Sequence, residues 1–490
     1  MPTLTTGCYA MALLLAVPIY LPRMMRSFWV DESGTFWMAH EGFWSAVDKC
    51  MHYAGQSVLY GALASMFCLE SGPLREPLLR LPSLIGLGVA LYFTARLAER
   101  AFGAGAGLCA FLFLLFQPSS ADWFIQSRPY GLAAGAVAAS CCLLWEWTER
   151  RALRTALWWA LATALVFYLH YLYALVFVAQ GAFLLWVFAV ERRAEGWKQL
   201  AAAMAAVGVA LLPLAGHFAL ASREASTMPA LMKPSLLYAV MVGLPLSLLI
   251  QGVLVATLLL FVWRVWGSPR RLWKVRGGGA WVLIGGWFVA GPLILFASAH
   301  LLGFALFEPR YLGHAAPALA LLLAGMGMMA FPARVAMRWA FLSVVLSTGS
   351  PMTWEKAAET GYAEALPAIE AVRNVTPGEP PPLLFHSTLL ESNFHDWKKG
   401  PEGSRLFHEL IAYPVKNRVY PLPMRLDTAE YLYLEGLLDG ELKDAPTVLF
   451  MRFGDVPEGL KRSMAMRGYR VETVTPNGYS VGIFRRDPVR

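Results

Sequence analysis

Residues 281–302 read WVLIGGWFVAGPLILFASAHLL, twenty-two positions without an Asp, Glu, Lys or Arg. A helix rises about 1.5 Å per residue, so such a run crosses the roughly 30 Å hydrocarbon core of a bilayer. Residues 235–262, SLLYAVMVGLPLSLLIQGVLVATLLLFV, have the same character. The whole chain follows suit. Of its 490 residues, 57% are hydrophobic and 15% charged, and mean hydropathy is +0.49. A soluble domain carries about 25% charged residues. The fold class is therefore a polytopic α-helical membrane protein.

Further apolar runs place spans at about 6–22, 79–97, 104–118, 129–147, 155–170, 172–190, 200–221, 237–263, 280–302, 313–331 and 337–351, about eleven helices in all. The first run lacks a convincing cleavage site and is read as retained. The net charge of +8 fits cytoplasmic loops and lipid headgroups. The chain has neither a basic-aromatic nucleic-acid pattern nor a glycine loop that would cradle phosphate, so no nucleic-acid partner is expected. Cysteines stand at 8, 50, 68, 109, 141 and 142, which rules out a disulfide framework in the C-terminal third.

Charge sets the orientation. The loops TERRALR, ERRAEGWK, RVWGSPRRLWKVR and PARVAMR are short and basic, and the positive-inside rule puts them in the cytoplasm. The N-terminus is then cytoplasmic too, provided that 55–70, GQSVLYGALASMFCLE, does not cross. That stretch is short, with polar ends, and is read as interfacial or re-entrant. Residues 23–77 become one long outer loop, and such loops often carry function.

After about residue 351, Pro, Glu, Asp and Lys rise. PPLLFHS, TVLFMRFG and YSVGIFRR predict strands, while WEKAAETGYAEALPAIEAVRN and VPEGLKRSMAMRGY predict amphipathic helices. The expected domains are a transmembrane domain, 1–350, and a soluble extracytoplasmic α/β domain, 351–490. An odd span count puts the latter on the periplasmic or extracellular side of the inner (plasma) membrane.

This topology gathers polar groups on one face. Asp31 and Glu32 lie among Phe28, Trp29, Phe36 and Trp37. On local sequence they are a solvated acid pair or a site. The aromatic flank tends to raise a carboxylate pKa and suits a base or metal ligand. His52 follows in the same loop. DWFIQSRPYG supplies Asp122, Arg128 and Tyr130. FYLHYLYAL supplies His170 and Tyr171, and FEPRYLGHAAP supplies Arg310 and Tyr311. An outer-face Arg anchors in headgroups or clamps a phosphate bidentately. Arg310 runs against the positive-inside trend, which an anionic ligand at the outer surface would explain. Acids that activate a hydroxyl and cations that hold a leaving phosphate fit glycosyl transfer from a polyprenyl-phosphate sugar.

At these residues the chain resembles the C-type (GT-C) integral membrane glycosyltransferases, in the bacterial branch related to protein mannosyltransferases and the lipid A aminoarabinose transferase. Six motifs occur in order: the Asp31-Glu32 pair after the first helix, His52 before an amphipathic segment, LREPLLRLPS, QSRPYGLA, HYLYALVFVAQ and FEPRYLGHAAPALALLLAG. The soluble tail also resembles the outer domain of that superfamily. The resemblance implies that Asp31, beside Glu32, is the base or orients the acceptor. It implies that Arg128, His170, Tyr171, Arg310 and Tyr311 bind the donor phosphate, supported by His52, Asp122 and Tyr130. It departs at Gln126, where relatives often have an acid, and at Tyr53-Ala54, where they often have Pro-Pro after the histidine. Either Asp122 takes over the role of the missing acid or that role is absent.

The expected function is transfer of a sugar, with inversion, from a lipid-phosphate donor to an acceptor hydroxyl at the outer face. Metal use varies within the superfamily, which leaves a divalent cation (Mg or Mn) open. The acceptor is a lipid, a polysaccharide or a protein, and membrane lipids are partners. The rival readings are a flippase or transporter for lipid-linked saccharide and an oligosaccharide ligase or polymerase. A transporter would be expected to carry charges or broken helices at mid-membrane. Here the charges sit at helix ends.

Overall fold

The computed structural model describes residues 2–53, 57–190, 196–227, 233–243, 278–303, 307–348, 364–375, 379–389, 405–475 and 478–486. The chain divides into two compact units. One comprises Met1–Met25 and Gly42–Ala358, the other Arg26–Glu41 and Glu359–Arg490.

The first unit is helical. Seven of its described helical stretches are long and apolar enough to cross a membrane: Thr6–Met24, Arg75–Phe102, Tyr130–Arg150, Tyr171–Ala189, Trp197–Arg223, Gly278–Leu301 and Pro309–Ala330. The runs at 104–118 and 155–170 form shorter apolar helices, Ala106–Leu115 and Leu153–Leu169. The last predicted span appears as Ala333–Thr348. Of the run 237–263, Leu236–Gly243 is a helix, and 244–263 lies outside the described residues. So do the basic loop 264–276, most of ERRAEGWK, and 354–363 of the predicted helix WEKAAETGYAEALPAIEAVRN.

The helix Tyr130–Arg150 is buried on nearly every side, and its closest neighbour is Arg75–Phe102. The two run in the same direction. Gly86, towards the middle of the first, meets Gly131 and Leu132 at the start of the second, and Arg96 and Arg100 bridge Glu146 near both ends at 2.6 and 3.3 Å. Small residues make this closeness possible. A Cβ at Gly86 would lie 2.3 Å from Leu132 N, and one at Gly131 would lie 2.3 Å from Phe124 O. Lipid gives helices no hydrophobic reason to associate, so close packing at small residues and polar contacts such as those to Glu146 hold the pair.

The stretch 55–70 contains a helix of eight residues, Val58–Ser65. At about 1.5 Å per residue it is far too short to span a bilayer. The expected outer loop is largely helical, with Val30–Ala39 and Phe43–His52 as well.

The second unit is an α/β domain around a five-stranded sheet. Its strands are β1 (Leu383–His386), β2 (Val419–Leu422), β3 (Thr447–Phe453), β4 (Tyr469–Val474) and β5 (Tyr479–Arg486). Their order is β2-β1-β3-β5-β4. β1 is parallel to β2 and β3, whereas β5 is antiparallel to β3 and β4. All four residues of β1 are buried, as in a strand covered on both faces. Leu384, Leu422, Phe450 and Phe484 pack with Leu434, Leu438, Leu460 and Met464 from the helices Thr428–Asp439 and Glu458–Met466. The three expected strands are β1, β3 and β5. β2 carries Pro421, which an edge strand tolerates because one side of its backbone need not pair.

The stretch Arg26–Glu41 belongs to this unit. Trp29 bridges Glu364, Ser27 Oγ donates to the Glu364 carboxylate, and the Phe28 N–H donates to Tyr413 Oη at 2.7 Å.

Candidate functional site

Arg128 sits where the helix Tyr130–Arg150 begins. Proline at position 129 suits a helix start, since the first-turn N–H groups lack intrahelical partners. A helix N-terminus with a guanidinium beside it favours an anion. The neighbouring helix fixes the backbone here. Ser83 Oγ donates to Arg128 O at 2.8 Å, so Tyr60 Oη donates to Ser83 Oγ across 2.9 Å.

His170 breaks the chain between Leu153–Leu169 and the 3₁₀ turn Tyr171–Leu175. The Tyr173 N–H donates to His170 O at 3.0 Å. With three residues per turn, positions i and i+3 of a 3₁₀ helix lie above one another. His170 therefore faces Tyr173, at 4.6 Å between ring centroids. Tyr130 and Tyr311 also pack on His170, at 5.4 and 5.6 Å, and Arg128 and Arg310 both act electrostatically on it. His170 Nδ1 is buried with no hydrogen-bond partner among the described residues.

Arg310 and Tyr311 belong to a second 3₁₀ turn, Pro309–Ala315. Two aromatic donors from different helices pin it. Tyr173 Oη donates to Arg310 O at 3.1 Å, and Trp287 Nε1 donates to His314 O at 2.7 Å. His314 Nδ1 donates to Tyr311 O at 2.9 Å, its other nitrogen facing Gly291, where a Cβ would clash. Gly313 leaves room for Tyr173, since a Cβ there would stand 2.5 Å from the hydroxyl. The Arg310 guanidinium lies over the Tyr311 ring at 5.2 Å. Arg128, Tyr130, His170, Arg310 and Tyr311 thus form one basic-aromatic cluster.

Sequence reasoning missed Tyr173 and His314. The signal was the i+3 spacing from His170 and from Tyr311, which matters only once the turns are known to be 3₁₀. The structure does not bring Tyr171 to the cluster. Its hydroxyl pairs with His217 Nδ1 at 2.6 Å. Asp122 is engaged by Arg23 at 3.3 Å. His52 is exposed and its Nδ1 bonds to Asp48 O at 2.8 Å.

Asp31 and Glu32 lie in the other unit, in the first turn of Val30–Ala39, where the helix dipole favours negative charge. Glu32 is buried and its carboxylate accepts the Trp29 N–H at 3.4 Å, as the third residue of a capping box does. Asp31 is partly exposed. The helix packs on the short helix His408–Ala412 of the same unit. Among the described residues, no group of three or more His, Cys, Asp or Glu is arranged to hold a metal ion.

No protein-family model and no curated protein matches the sequence. Solved structures do resemble it. ArnT from Cupriavidus metallidurans bound to undecaprenyl phosphate superposes with a TM-score of 0.60 at 12% identity, over 98% of both chains. The apo state of the same protein gives 0.60 at 13% identity, with the same coverage. The Archaeoglobus fulgidus oligosaccharyltransferase, in complex with Zn and sulfate, gives 0.52 at 13% identity over 98% of this chain and 73% of that one. At this level of identity the likeness speaks for architecture, and the architecture of this chain is a GT-C-like fold, that of the C-type membrane glycosyltransferases.

Proposed function

We propose that the protein transfers a sugar from a polyprenyl-phosphate-linked donor to an acceptor hydroxyl, with inversion, at the outer face of the inner (plasma) membrane. The observation that carries this reading is the cluster of Arg128, His170 and Arg310, brought together from three distant stretches of chain. The GT-C-like fold supports it, as does the undecaprenyl phosphate bound to the Cupriavidus ArnT.

In this reading, Arg128 and Arg310 hold the phosphate, with His170 and Tyr311 lining the site and Tyr173 fixing the Arg310 turn. Asp31 is the base. The acceptor oxygen forms its bond to the anomeric carbon as the bond from that carbon to the phosphate oxygen breaks. The bonding pair leaves on the phosphate, and the acceptor proton passes to Asp31. General-base catalysis commonly contributes about a hundredfold to ten-thousandfold. Charge stabilisation of the leaving phosphate adds to it. Glu32 is buried whereas Asp31 is partly exposed, which makes Asp31 the better placed of the two to meet an acceptor.

The test uses purified protein and radiolabelled undecaprenyl-phosphate sugars. Asp31→Asn should lose about a hundredfold or more of turnover while retaining donor affinity. Equal transfer or hydrolysis by both proteins would remove Asp31 from catalysis. Arg310→Ala should weaken donor binding, and full affinity would remove Arg310 from the site. An impermeant thiol reagent should label a cysteine engineered into the tail of intact spheroplasts. Labelling only after lysis would overturn the outer-face assignment.

A further inference from the structure

The α/β unit buries a carboxylate that the proposed chemistry does not use. Glu409 is wholly buried, and three polar side chains converge on it. Thr388 Oγ1 donates to Glu409 Oε1 at 2.5 Å, and Tyr479 Oη donates to the same oxygen at 3.2 Å. His408 Nδ1 stands 3.3 Å from Oε2. Thr388 lies just beyond β1, and Tyr479 opens β5. Glu409 therefore ties the five-residue helix His408–Ala412 to β5 and to the segment that follows β1.

That helix seats the acids. It packs on Val30–Ala39, and the residue after it, Tyr413, donates its N–H to Glu409 O at 2.8 Å. Tyr413 Oη accepts the Phe28 N–H at 2.7 Å, and its ring lies 6.0 Å from that of Phe28. Phe28 in turn packs on Phe36 of the acid-bearing helix, at 5.8 Å. A five-residue helix has little stability of its own, because nucleation is costly. A buried polar group is rarely the most stabilising way to fill a core, and its best-attested use is to fix one arrangement.

We propose that Glu409 is the positioning residue for Asp31: through His408–Ala412 and Tyr413 it fixes the direction of the helix that carries the base. This rests on the reading of Asp31 as that base.

The experiment compares full-length wild type, Glu409→Leu, Glu409→Gln and Asp31→Asn. It measures amide hydrogen exchange over residues 28–40, affinity for undecaprenyl phosphate, and steady-state turnover of a radiolabelled undecaprenyl-phosphate hexose. Glu409→Leu should speed exchange over 28–40 at least tenfold and leave undecaprenyl phosphate affinity within twofold. It should lower kcat at least tenfold at unchanged KM. Glu409→Gln, which can still accept from Thr388 and Tyr479, should recover part of both effects. Unchanged exchange over 28–40 overturns the proposal, as does loss of undecaprenyl phosphate binding in step with turnover, which marks a general folding defect. If Glu409→Leu fails to fold, Thr388→Val removes a single donor and should produce the same exchange change in weaker form. If instead Asp31→Asn turns over normally, or the hexose is not turned over, while Glu409→Leu still loosens 28–40, the base assignment falls and the anchoring of the helix stands.

Discussion

Replacing Gly86 by Ala tests how the site is built. The new methyl would stand 2.3 Å from Leu132 N and 2.4 Å from Gly131 C. Carbon atoms settle about 3.5 Å from their neighbours, so the helices Arg75–Phe102 and Tyr130–Arg150 must part by about 1 Å. The obstructing atoms are backbone, with no rotamer to yield, which puts the overpacking cost near the top of the usual range, about 3 kcal/mol. Gly88 is the control. It lies on the same helix and is exposed, and a methyl added there would meet nothing within 4 Å. Both substitutions gain similar helix propensity, about 1 kcal/mol, and this cancels in the comparison. Unfolding titrations in SDS should separate the two variants by about 3 kcal/mol, with Gly86→Ala the weaker. The displacement also reaches Arg128, whose carbonyl is held by Ser83 one turn before Gly86. Misplacement of about 1 Å costs on the order of a hundredfold in rate, so turnover should fall in Gly86→Ala and hold in Gly88→Ala. Equal stability and equal turnover of the two would refute the close-packed helix pair as the frame of the site.

Two other outcomes are expected. Tyr173→Phe removes the hydroxyl that holds Arg310 O. It should cost about 1 kcal/mol of stability and weaken undecaprenyl phosphate binding, read by titration, whereas Tyr171→Phe should leave that affinity unchanged. In the α/β unit, burial first and the Arg452 charge second push the His386 pKa down from 6.5 to about 3. The folded state then resists a proton that the unfolded chain accepts below pH 6.5. Stability contributed by neutral His386 is intact above pH 6.5 and is lost as pH falls from there towards 3, by about 2 kcal/mol at about pH 5. Denaturant midpoints of the α/β transition at about pH 7.5 and about pH 5 should differ more in wild type than in His386→Leu, and equal differences would refute the assignment.

Spans and strands differ in how far local sequence reveals them. The stretch 281–302 lacks charge along its whole length, and Gly278–Leu301 is the helix this demands. β1 and β3 were legible for a similar reason, since their apolar runs are continuous, and β5 because Val481, Ile483 and Phe484 stand close together. β2 was hidden by Pro421, and β4 by its mostly exposed residues. In both cases a neighbouring strand supplies the pairing that the residues themselves do not advertise.

The sequence alone determined that the chain is a polytopic membrane protein with an α/β tail, because transfer of apolar groups into lipid is a property of composition over some twenty residues. It also picked out Arg128, His170 and Arg310, because charge and imidazole at the ends of apolar helices stand out locally. Only the tertiary structure decided which neighbours join them. Tyr173 replaces Tyr171 beside His170 because the turn there is 3₁₀ and superimposes residues three apart. Only the tertiary structure placed Asp31 and Glu32 in the α/β unit. Tyr413 and Glu364, more than three hundred residues away, hold the chain there by hydrogen bonds, and nothing in the local sequence of Ser27–His40 encodes those partners.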